Sequence, residues 1–328
     1  MWLILTDLHL DLHRAFATVA SNGLTNRIIQ QIEVIQQVKR IARKHKVNNI
    51  FFLGDLFNTL SPTIPKLVYN VAFYLIQSLA EIANVYILVG NHDIFQNIHL
   101  FTPFTSIPKV KVIHDSTTII VDGKPIDMIP WGGDLFGEDK APYCFAHIGI
   151  AGADVGTGFV LDADQVPLSA LAGYKIVLAG HYHTRQMMAE GVFHIGGVMA
   201  TSFKDTPEDK GVFLLDPTND KLDFIPVKSP KFLTMVFTNQ LQVDILNMSQ
   251  FPTDNYYRLL IQSDDIVVPE FGPNVIVEYD YEPKTEETAL AVSEITDLVP
   301  IVQDFIDRSN TQLPKPILKE KAIELLEV

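Results

Sequence analysis

The sequence IVLAGHYH, residues 176–183, starts as an apolar run typical of a buried strand and ends in two histidines. Side chains of an extended segment alternate between its two faces, so His181 and His183 point the same way. Two such imidazoles are typical of a loop pair bonded to backbone, a pH switch or half of a metal site. The pair alone favours the loop interpretation, so the other strands must distinguish these alternatives.

Four other apolar runs share this pattern of a short hydrophobic stretch that ends in polar residues. They are WLILTD (2–7), NIFFLGD (49–55), VYILVGNHD (85–93) and YCFAHI (143–148). The segments between the first three, at 24–45 and 64–82, have apolar residues at helical spacing. Strands that alternate with helices predict parallel pairing, with the helices outside the sheet.

Hairpin signals follow these crossover units. Turn residues lie between apolar stretches at Asp122-Gly123, at Glu190-Gly191 and from Pro217 to Asp220. Hairpins added to parallel units produce mixed sheets. The sequence therefore predicts an α/β fold, a sandwich of two mixed β-sheets packed face to face and flanked by helices.

The pattern changes around PVKSPKF (226–232), which indicates a domain boundary. We predict a catalytic domain at 1–228 and a small β-rich domain at 229–283, with strands at YYRLLIQ (256–262) and NVIVEYDY (274–281). A tail at 284–328 carries two stretches with helical spacing, near 295–308 and 315–327.

Composition excludes some classes of protein. No run of about 20 apolar residues occurs, so we expect no membrane span. The start, MWLILTDLHLD, lacks a basic region and a long apolar region, so we expect no signal peptide. The single cysteine, Cys144, excludes an internal disulfide and fits a reducing cytoplasm, where we expect the protein to be located. Its apolar surroundings indicate an inert buried thiol.

The net charge of −14 argues against tight nucleic-acid binding through bulk electrostatics. One basic cluster stands out at the end of the first predicted helix: Lys39, Arg40, Arg43, Lys44 and Lys46. Cations at a helix carboxyl end complement the helix dipole, and we prefer this interpretation to a DNA-facing patch.

The five strands all end in side chains that are able to bind a metal. These are Asp7 and His9, Asp55, Asn91 and His92, His147, and His181 and His183. Carboxyl ends of parallel strands gather at one edge of a sheet, so these residues should converge. Carboxylate, imidazole and amide ligands without thiolate suit Mn, Fe or Zn. The number of candidates favours two ions that share a carboxylate. We therefore interpret His181 and His183 as part of a metal site.

The same residues carry a family resemblance. DLH (7–9), GDLF (54–57), GNHD (90–93), AHI (146–148) and GHYH (180–183) resemble, in this order, the motifs of the calcineurin-like metallophosphoesterases. The resemblance implies a two-sheet sandwich with two metal ions at its edge. By position, it implies the ligand sets Asp7, His9 and His183 for the first metal and Asn91, His147 and His181 for the second, with Asp55 as the bridge and His92 as a non-ligand catalytic acid.

Within this superfamily, GDLFNTL (54–60) lacks the arginine of the protein phosphatases and resembles the SbcD-type (meiotic recombination eleven) DNA repair nucleases. Residues 110–131 and 194–216 also resemble the recombination nuclease subunit of tailed bacteriophages. This resemblance covers roughly residues 1–228. It implies an exonuclease and endonuclease dependent on two divalent ions, with Mn²⁺ as the metal, and a small DNA-contacting cap.

The resemblance also implies partners besides DNA. An SbcC-type coiled-coil ATPase would bind the helical tail, and a homodimer would form through the helix around residues 64–82. The segment Leu67 to Ile76 is apolar nearly all round, although complete burial within the monomer would also explain this.

Two positions depart from the family pattern. Asp11 stands where the family often has a glycine, and Asn58 stands where it often has a histidine. Without that histidine, a role in proton transfer or phosphate binding is in doubt at position 58. Two other functions stay open: a stand-alone phosphodiesterase for a small molecule such as a cyclic nucleotide, and a non-catalytic scaffold. Residues after Lys228 argue against the first, and the complete ligand set argues against the second.

Overall fold

The computed structural model describes residues 1–21, 23–58, 63–96, 98–156, 160–161, 165–245, 251–280, 302–303, 306–307 and 314–326. The chain forms two compact units, Met1–Asp280 and Tyr281–Val328. Strands of the first unit are β1 (Trp2–Leu5), β2 (Asn49–Phe52), β3 (Asn84–Leu88), β4 (Ile94–Phe95), β5 (Ile98–His99), β6 (Val110–Ile113), β7 (Thr117–Val121), β8 (Lys124–Ile129), β9 (Tyr143–His147), β10 (Ala153–Asp154), β11 (Val160–Leu161), β12 (Ile176–Gly180), β13 (Gln186–Ala189), β14 (Val192–His194), β15 (Gly211–Asp216), β16 (Lys221–Pro226), β17 (Phe232–Phe237), β18 (Tyr256–Ile261) and β19 (Val275–Tyr279).

The α-helices are α1 (Asn26–Lys44), α2 (Lys66–Ala80) and α3 (Gln240–Asp244) in the first unit and α4 (Lys315–Leu326) in the second. Short 3₁₀ turns occur at Asn91–Asp93, Thr102–Ser106 and Leu168–Leu171. Within the described part of the chain, no helix combines the length and apolar character that a membrane span requires.

Two six-stranded sheets form the body of the first unit, with orders β16-β15-β1-β2-β3-β6 and β13-β14-β12-β9-β8-β7. Neighbours β1, β2, β3 and β6 pair in parallel, whereas β15 and β16 run antiparallel. The second sheet likewise combines the parallel set β8, β9, β12 and β14 with the hairpin strands β7 and β13. Both sheets are mixed, as predicted, and all three predicted hairpins are present.

The two sheets pack face to face through a layer of aromatic side chains. Trp2 of the first sheet lies 5.5 Å from Tyr143 of the second, centroid to centroid, and Phe51 lies 4.8 Å from Phe145. Edge-on contacts of this kind add about 0.5–1.5 kcal/mol each beyond the burial of apolar area. All four rings are at most 2% exposed. This layer confirms the predicted sandwich.

Helices α1 and α2 cover the outer face of the first sheet. The Thr25 side chain caps α1 by accepting a hydrogen bond from the Ile28 backbone N–H at 3.3 Å. Apolar residues at helical spacing then point at the sheet, among them Val34, Ile35 and Val38. On the second sheet, the outer face packs against the 3₁₀ turn at Leu168–Leu171 and includes the buried Cys144.

A third, parallel sheet of order β17-β18-β19 follows the predicted boundary and contains both strands predicted there. It contacts the sandwich through Phe232 and Tyr256, which pack with Phe16 and Phe203. In the second unit, α4 matches the predicted stretch 315–327, whereas the stretch 295–308 lies mostly outside the described residues. The domain limits at 228 and 283 remain predictions.

Candidate metal centre

The predicted ligands lie at the carboxyl ends of strands that run in register. Leu5 of β1 pairs with Phe52 of β2, and Gly180 of β12 pairs with His147 of β9. The Asp7 backbone N–H then donates to the Gly54 carbonyl at 3.0 Å. Since both sheets present these ends at the same edge, residues far apart in the chain meet there, as the sequence predicted.

The backbone bends sharply where it leaves these strands. Asp7, His9, Asp55 and His181 have φ angles of 52°, 48°, 54° and 91°, in the left-handed region that side chains with a Cβ rarely adopt. Such conformations cost of order 1–3 kcal/mol each and are concentrated at functional sites. The structure therefore places strained backbone at four of the seven predicted ligands.

One group of ligand atoms comprises Asp7, His9 and His183, whose donor atoms all lie within 4.8 Å of one another. The His183 Nε2 atom is 2.9 Å from His9 Nε2, and His9 Nε2 is 3.6 Å from Asp7 Oδ1. Three donor atoms thus surround one point, and this set matches the one that the resemblance implied for the first metal.

A second group comprises Asp55, His147 and His181, again within 4.8 Å. Asn91 completes it, since its Oδ1 atom lies 3.0 Å from both His147 Nε2 and His181 Nδ1. An amide oxygen and two imidazole nitrogens therefore converge beside the first group, on the residues implied for the second metal.

Asp55 lies between the two groups. Its Oδ2 atom is 3.6 Å from His9 Nε2, and its Oδ1 atom is 3.4 Å from His147 Nε2. Each carboxylate oxygen thus faces a different set of imidazoles, which is the arrangement expected of a carboxylate shared by two cations. Asp55 is 1% exposed.

The donor atoms and charges fit divalent cations. The Asp7 Oδ1 atom is buried and has no hydrogen-bond partner among the described residues. Burial would raise the pKa of Asp7, but His9, His147 and His183 outweigh it and lower the pKa. Burial also favours the neutral ring of His147, yet Asp55 and Asp7 raise its pKa to about 9. The buried carboxylates of Asp7 and Asp55 thus favour positive charge at this edge. A set of oxygen and nitrogen donors without sulfur suits Mn²⁺, Fe²⁺ or Zn²⁺.

Hydrogen bonds from the far side of the rings fix the histidine tautomers. The His147 Nδ1 atom is 2.6 Å from the Leu53 carbonyl, which requires a proton on Nδ1, so Nε2, on the side of Asp55, is the atom that a metal would bind in place of a proton. His183 Nδ1 is similarly 2.9 Å from Asp205 Oδ1. Burial lowers the pKa of His181 to about 4, so this ring is neutral, as a ligand must be.

Sequence analysis missed Asp205, which orients His183 from outside the ligand set. Its Oδ2 atom accepts from the Thr201 and Ser202 backbone N–H groups at 2.9 and 3.0 Å, and its Oδ1 atom accepts from His183. Asp205 is 5% exposed. The available signal was a lone acid after SFK (202–204), which resembles ordinary loop sequence.

Asp93 was also missed, although it belongs to the quoted motif GNHD. It is fully buried and accepts from three backbone N–H groups, those of Asp55, Phe57 and Gly90, at 2.8 to 3.1 Å. Asp93 therefore fixes the loop that carries Asp55. Gly90 is needed in the same place, because a Cβ there would lie 2.2 Å from Asp55 Oδ1.

His92, the predicted acid, lies at the rim of the centre. Its backbone N–H donates to Asp55 Oδ1 at 2.9 Å, and its ring is edge-on to His9 with centroids 4.8 Å apart. Its donor atom also lies within 4.8 Å of those of His9 and Asp55, so the geometry permits it as a ligand as well. The two departures from the family pattern contact each other: Asn58 Nδ2 donates to Asp11 Oδ2 at 3.3 Å.

Comparison with known proteins agrees with this geometry. The calcineurin-like phosphoesterase family model matches residues 2–185, more than half of the chain. The chain therefore belongs to the calcineurin-like phosphoesterases, which confirms the resemblance and the fold class.

Two viral relatives are similar to the chain. Exonuclease subunit 1 of Enterobacteria phage T4 is 27% identical over 210 residues, which cover 60% of this chain and 61% of the phage protein. Putative phosphoesterase 244L of Invertebrate iridescent virus 6 is 25% identical over 218 residues, which cover 61% of this chain and 75% of the viral protein. The chain thus matches less than two thirds of the length of the phage relative.

Proposed function

We propose that this chain is a nuclease that uses two divalent metal ions to hydrolyse phosphodiester bonds in DNA. The observation that supports it most is the position of Asp55, whose two carboxylate oxygens face separate groups of ligand atoms. A phage exonuclease among the relatives supports DNA as the substrate. The proposed setting is DNA recombination, repair or replication in a cytoplasm.

The metals would be held by the residues that the geometry brings together: Asp7, His9, His183, Asn91, His147 and His181, with Asp55 between them. Two bound divalent cations would supply the Lewis acidity that phosphodiester hydrolysis needs. We propose Mn²⁺ as the native metal. The chain itself holds the rings of His147 and His183 by hydrogen bonds to their Nδ1 atoms, so that their Nε2 atoms face the centre.

His92 would protonate the leaving oxygen. It is half-buried beside both carboxylates, and its Nδ1 atom has no hydrogen-bond partner within the part of the chain that the structure describes. Its backbone N–H bond to Asp55 fixes the base of the side chain beside the carboxylate that lies between the two ligand groups, where we expect the substrate phosphate to bind. A positioned general acid adds about 10²- to 10⁴-fold to the rate.

The activity test compares substrates in chelator-treated protein resupplied with Mn²⁺. Labelled linear DNA, bis-p-nitrophenyl phosphate and cyclic nucleotides are incubated with wild type and with His181→Ala. We expect Mn²⁺-dependent DNA hydrolysis, with lower metal content and lower rate in the variant. Full DNA hydrolysis without metal would refute the dimetal proposal, and hydrolysis of cyclic nucleotides without DNA hydrolysis would favour a small-molecule phosphodiesterase.

We propose that α2 forms a homodimer contact. The helix buries Val68, Ala72, Leu75 and Ile76 against the sandwich but leaves Tyr74 69% exposed and Leu67 38% exposed. Light scattering at micromolar concentration should give twice the monomer mass of 36.8 kDa. Tyr74→Glu should shift the mass toward the monomer, whereas Ile120→Glu, at a strand residue that is 76% exposed, should not. A monomer mass for the wild type would contradict the proposal.

We further propose that the tail binds an SbcC-type coiled-coil ATPase. The sequence of this segment has Leu318, Ala322, Leu325 and Leu326 at helical spacing, which is the pattern that supports the proposal. Deletion of residues 290–328 should preserve Mn²⁺-dependent hydrolysis of bis-p-nitrophenyl phosphate and abolish association with the ATPase. A truncated chain that still co-purifies stoichiometrically with the ATPase would refute this role.

A further inference from the structure

An exposed tryptophan lies against the candidate metal centre. Trp131 follows β8, and its backbone N–H donates to the Val89 carbonyl at 2.9 Å, which fixes it beside the end of β3. Its ring packs on His181, with centroids 4.7 Å apart and planes 36° apart, and meets His147 edge-on at 6.2 Å. Trp131 nevertheless remains 39% exposed.

The exposure needs an explanation, because the largest apolar side chain is costly to leave in water. The chain has two tryptophans, and the other, Trp2, is fully buried between the sheets. Shielding His181 from solvent would explain the covered face of Trp131 but not the open one. A cavity of about 480 Å³ adjoins the ring and is bounded by the Gly132-Gly133 turn and Ser116. The same ring contacts His181, a predicted ligand at the edge where the phosphate would bind.

We propose that Trp131 is a stacking platform for an unpaired nucleobase next to the phosphodiester that is cleaved. This inference rests on the proposed nuclease function and narrows its substrate to single-stranded or frayed DNA ends. An aromatic ring accepts the flat face of any base, so the platform needs no particular sequence. A base within a duplex is already stacked on its neighbours and must be splayed out before its face can reach such a ring.

Hydrolysis of single-stranded oligonucleotides with and without a base tests the contact. One set carries thymine next to the terminal linkage, and the other carries an abasic residue there. In wild type the base should raise kcat/KM by about 5- to 150-fold, the range for one stacked base. Trp131→Ala should reduce this ratio to near one, and Trp131→Phe should restore part of it. Leu168→Ala, at an apolar residue that is 38% exposed but does not line this cavity, should keep the wild-type ratio.

Tryptophan fluorescence provides a readout that does not depend on turnover. A thymidine tetranucleotide with phosphorothioate linkages, which slow hydrolysis, should quench wild-type emission in the presence of Mn²⁺. An abasic tetranucleotide should not. Trp131→Phe retains only the buried Trp2 and should show no base-dependent quenching.

The two assays separate failure of this inference from failure of the nuclease proposal. Equal base-to-abasic ratios in wild type and Trp131→Ala, with DNA still hydrolysed, would overturn the stacking role alone. Absence of hydrolysis on every DNA would refute the nuclease function. In that case the fluorescence arm still decides on Trp131, since equal quenching by the two tetranucleotides would overturn base stacking.

Discussion

Replacing Asp205 with asparagine should weaken metal binding without unfolding the protein. The Asp205 Oδ1 atom lies 2.9 Å from His183 Nδ1 and accepts its proton in a hydrogen bond, so Nε2, which faces His9, is the atom that would bind a metal. An asparagine oxygen can still accept from the Thr201 and Ser202 backbone N–H groups. Its amide nitrogen then faces His183 Nδ1, which must become an acceptor, and the ring proton moves to Nε2. A protonated Nε2 cannot bind a metal.

The size of the effect follows from these contacts. Loss of such an outer carboxylate typically costs about 10- to 100-fold in metal affinity or activity. This corresponds to about 1.4–2.7 kcal/mol, since each factor of ten is about 1.4 kcal/mol. Asp205→Ala should also destabilise the fold, because it leaves two partly buried N–H groups without their acceptor and should lower the free energy of unfolding by about 1 kcal/mol or more.

The assay is a Mn²⁺ titration of bis-p-nitrophenyl phosphate hydrolysis, combined with denaturant unfolding of the chelated protein. Asp205→Asn should shift the activation midpoint to about 10- to 100-fold higher Mn²⁺ with little change in unfolding. Asp209→Asn removes a charge from the same segment at a side chain that is 65% exposed and bonded to Lys231, and should leave the midpoint in place. An unchanged midpoint in Asp205→Asn would refute the tautomer argument and leave Asp205 as a loop anchor.

Three further substitutions follow from the contacts. His92→Gln should retain both metals and DNA binding but lose about 10²- to 10⁴-fold in kcat, and metal loss by elemental analysis would make His92 a ligand instead. Asp93→Asn should lower the free energy of unfolding of the metal-free protein by about 1–3 kcal/mol, because its amide nitrogen faces a backbone N–H group; a denaturant midpoint as unaffected as that of Asp139→Asn, at an exposed residue, would contradict this. Arg27→Met should cost about 1–3 kcal/mol, mainly through the charged bond from Nη2 to the Thr201 carbonyl at 2.8 Å. The exposed Arg40→Met on the same helix should change stability by less than about 0.5 kcal/mol.

The sandwich and the ligand set could be predicted because both follow local rules. Apolar runs of strand length, separated by helical spacing, predict parallel pairing whatever the details of packing. Polar residues at the strand ends then have only one edge to occupy. Thus Asp7, Asp55 and His181 could be placed together from sequence, although they are distant in the chain.

The residues that support the ligands could not be found in this way. Asp205 lies in a loop whose path depends on tertiary contacts, and its two carboxylate oxygens bond to groups that no periodicity identifies. Asp93 belongs to the quoted motif GNHD, but only the fold shows the three backbone N–H groups around it. The contact of Trp131 with His181 likewise could not be predicted, because it joins residues that follow two different strands.

The loop that carries Asp205 connects the candidate centre with the third sheet. Arg27 is 2% exposed, with its guanidinium over the rings of Phe232 and Tyr256 at 4.9 and 4.7 Å. Its Nη2 atom donates to the Thr201 carbonyl, and the Thr201 backbone N–H donates to Asp205, which orients His183. Rings of the third sheet are therefore joined to a predicted metal ligand by consecutive contacts. Because buried hydrogen-bonded groups tolerate little displacement, movement of this sheet should disturb His183 before it disturbs His147, whose ring is held by the central strand β2 through Leu53.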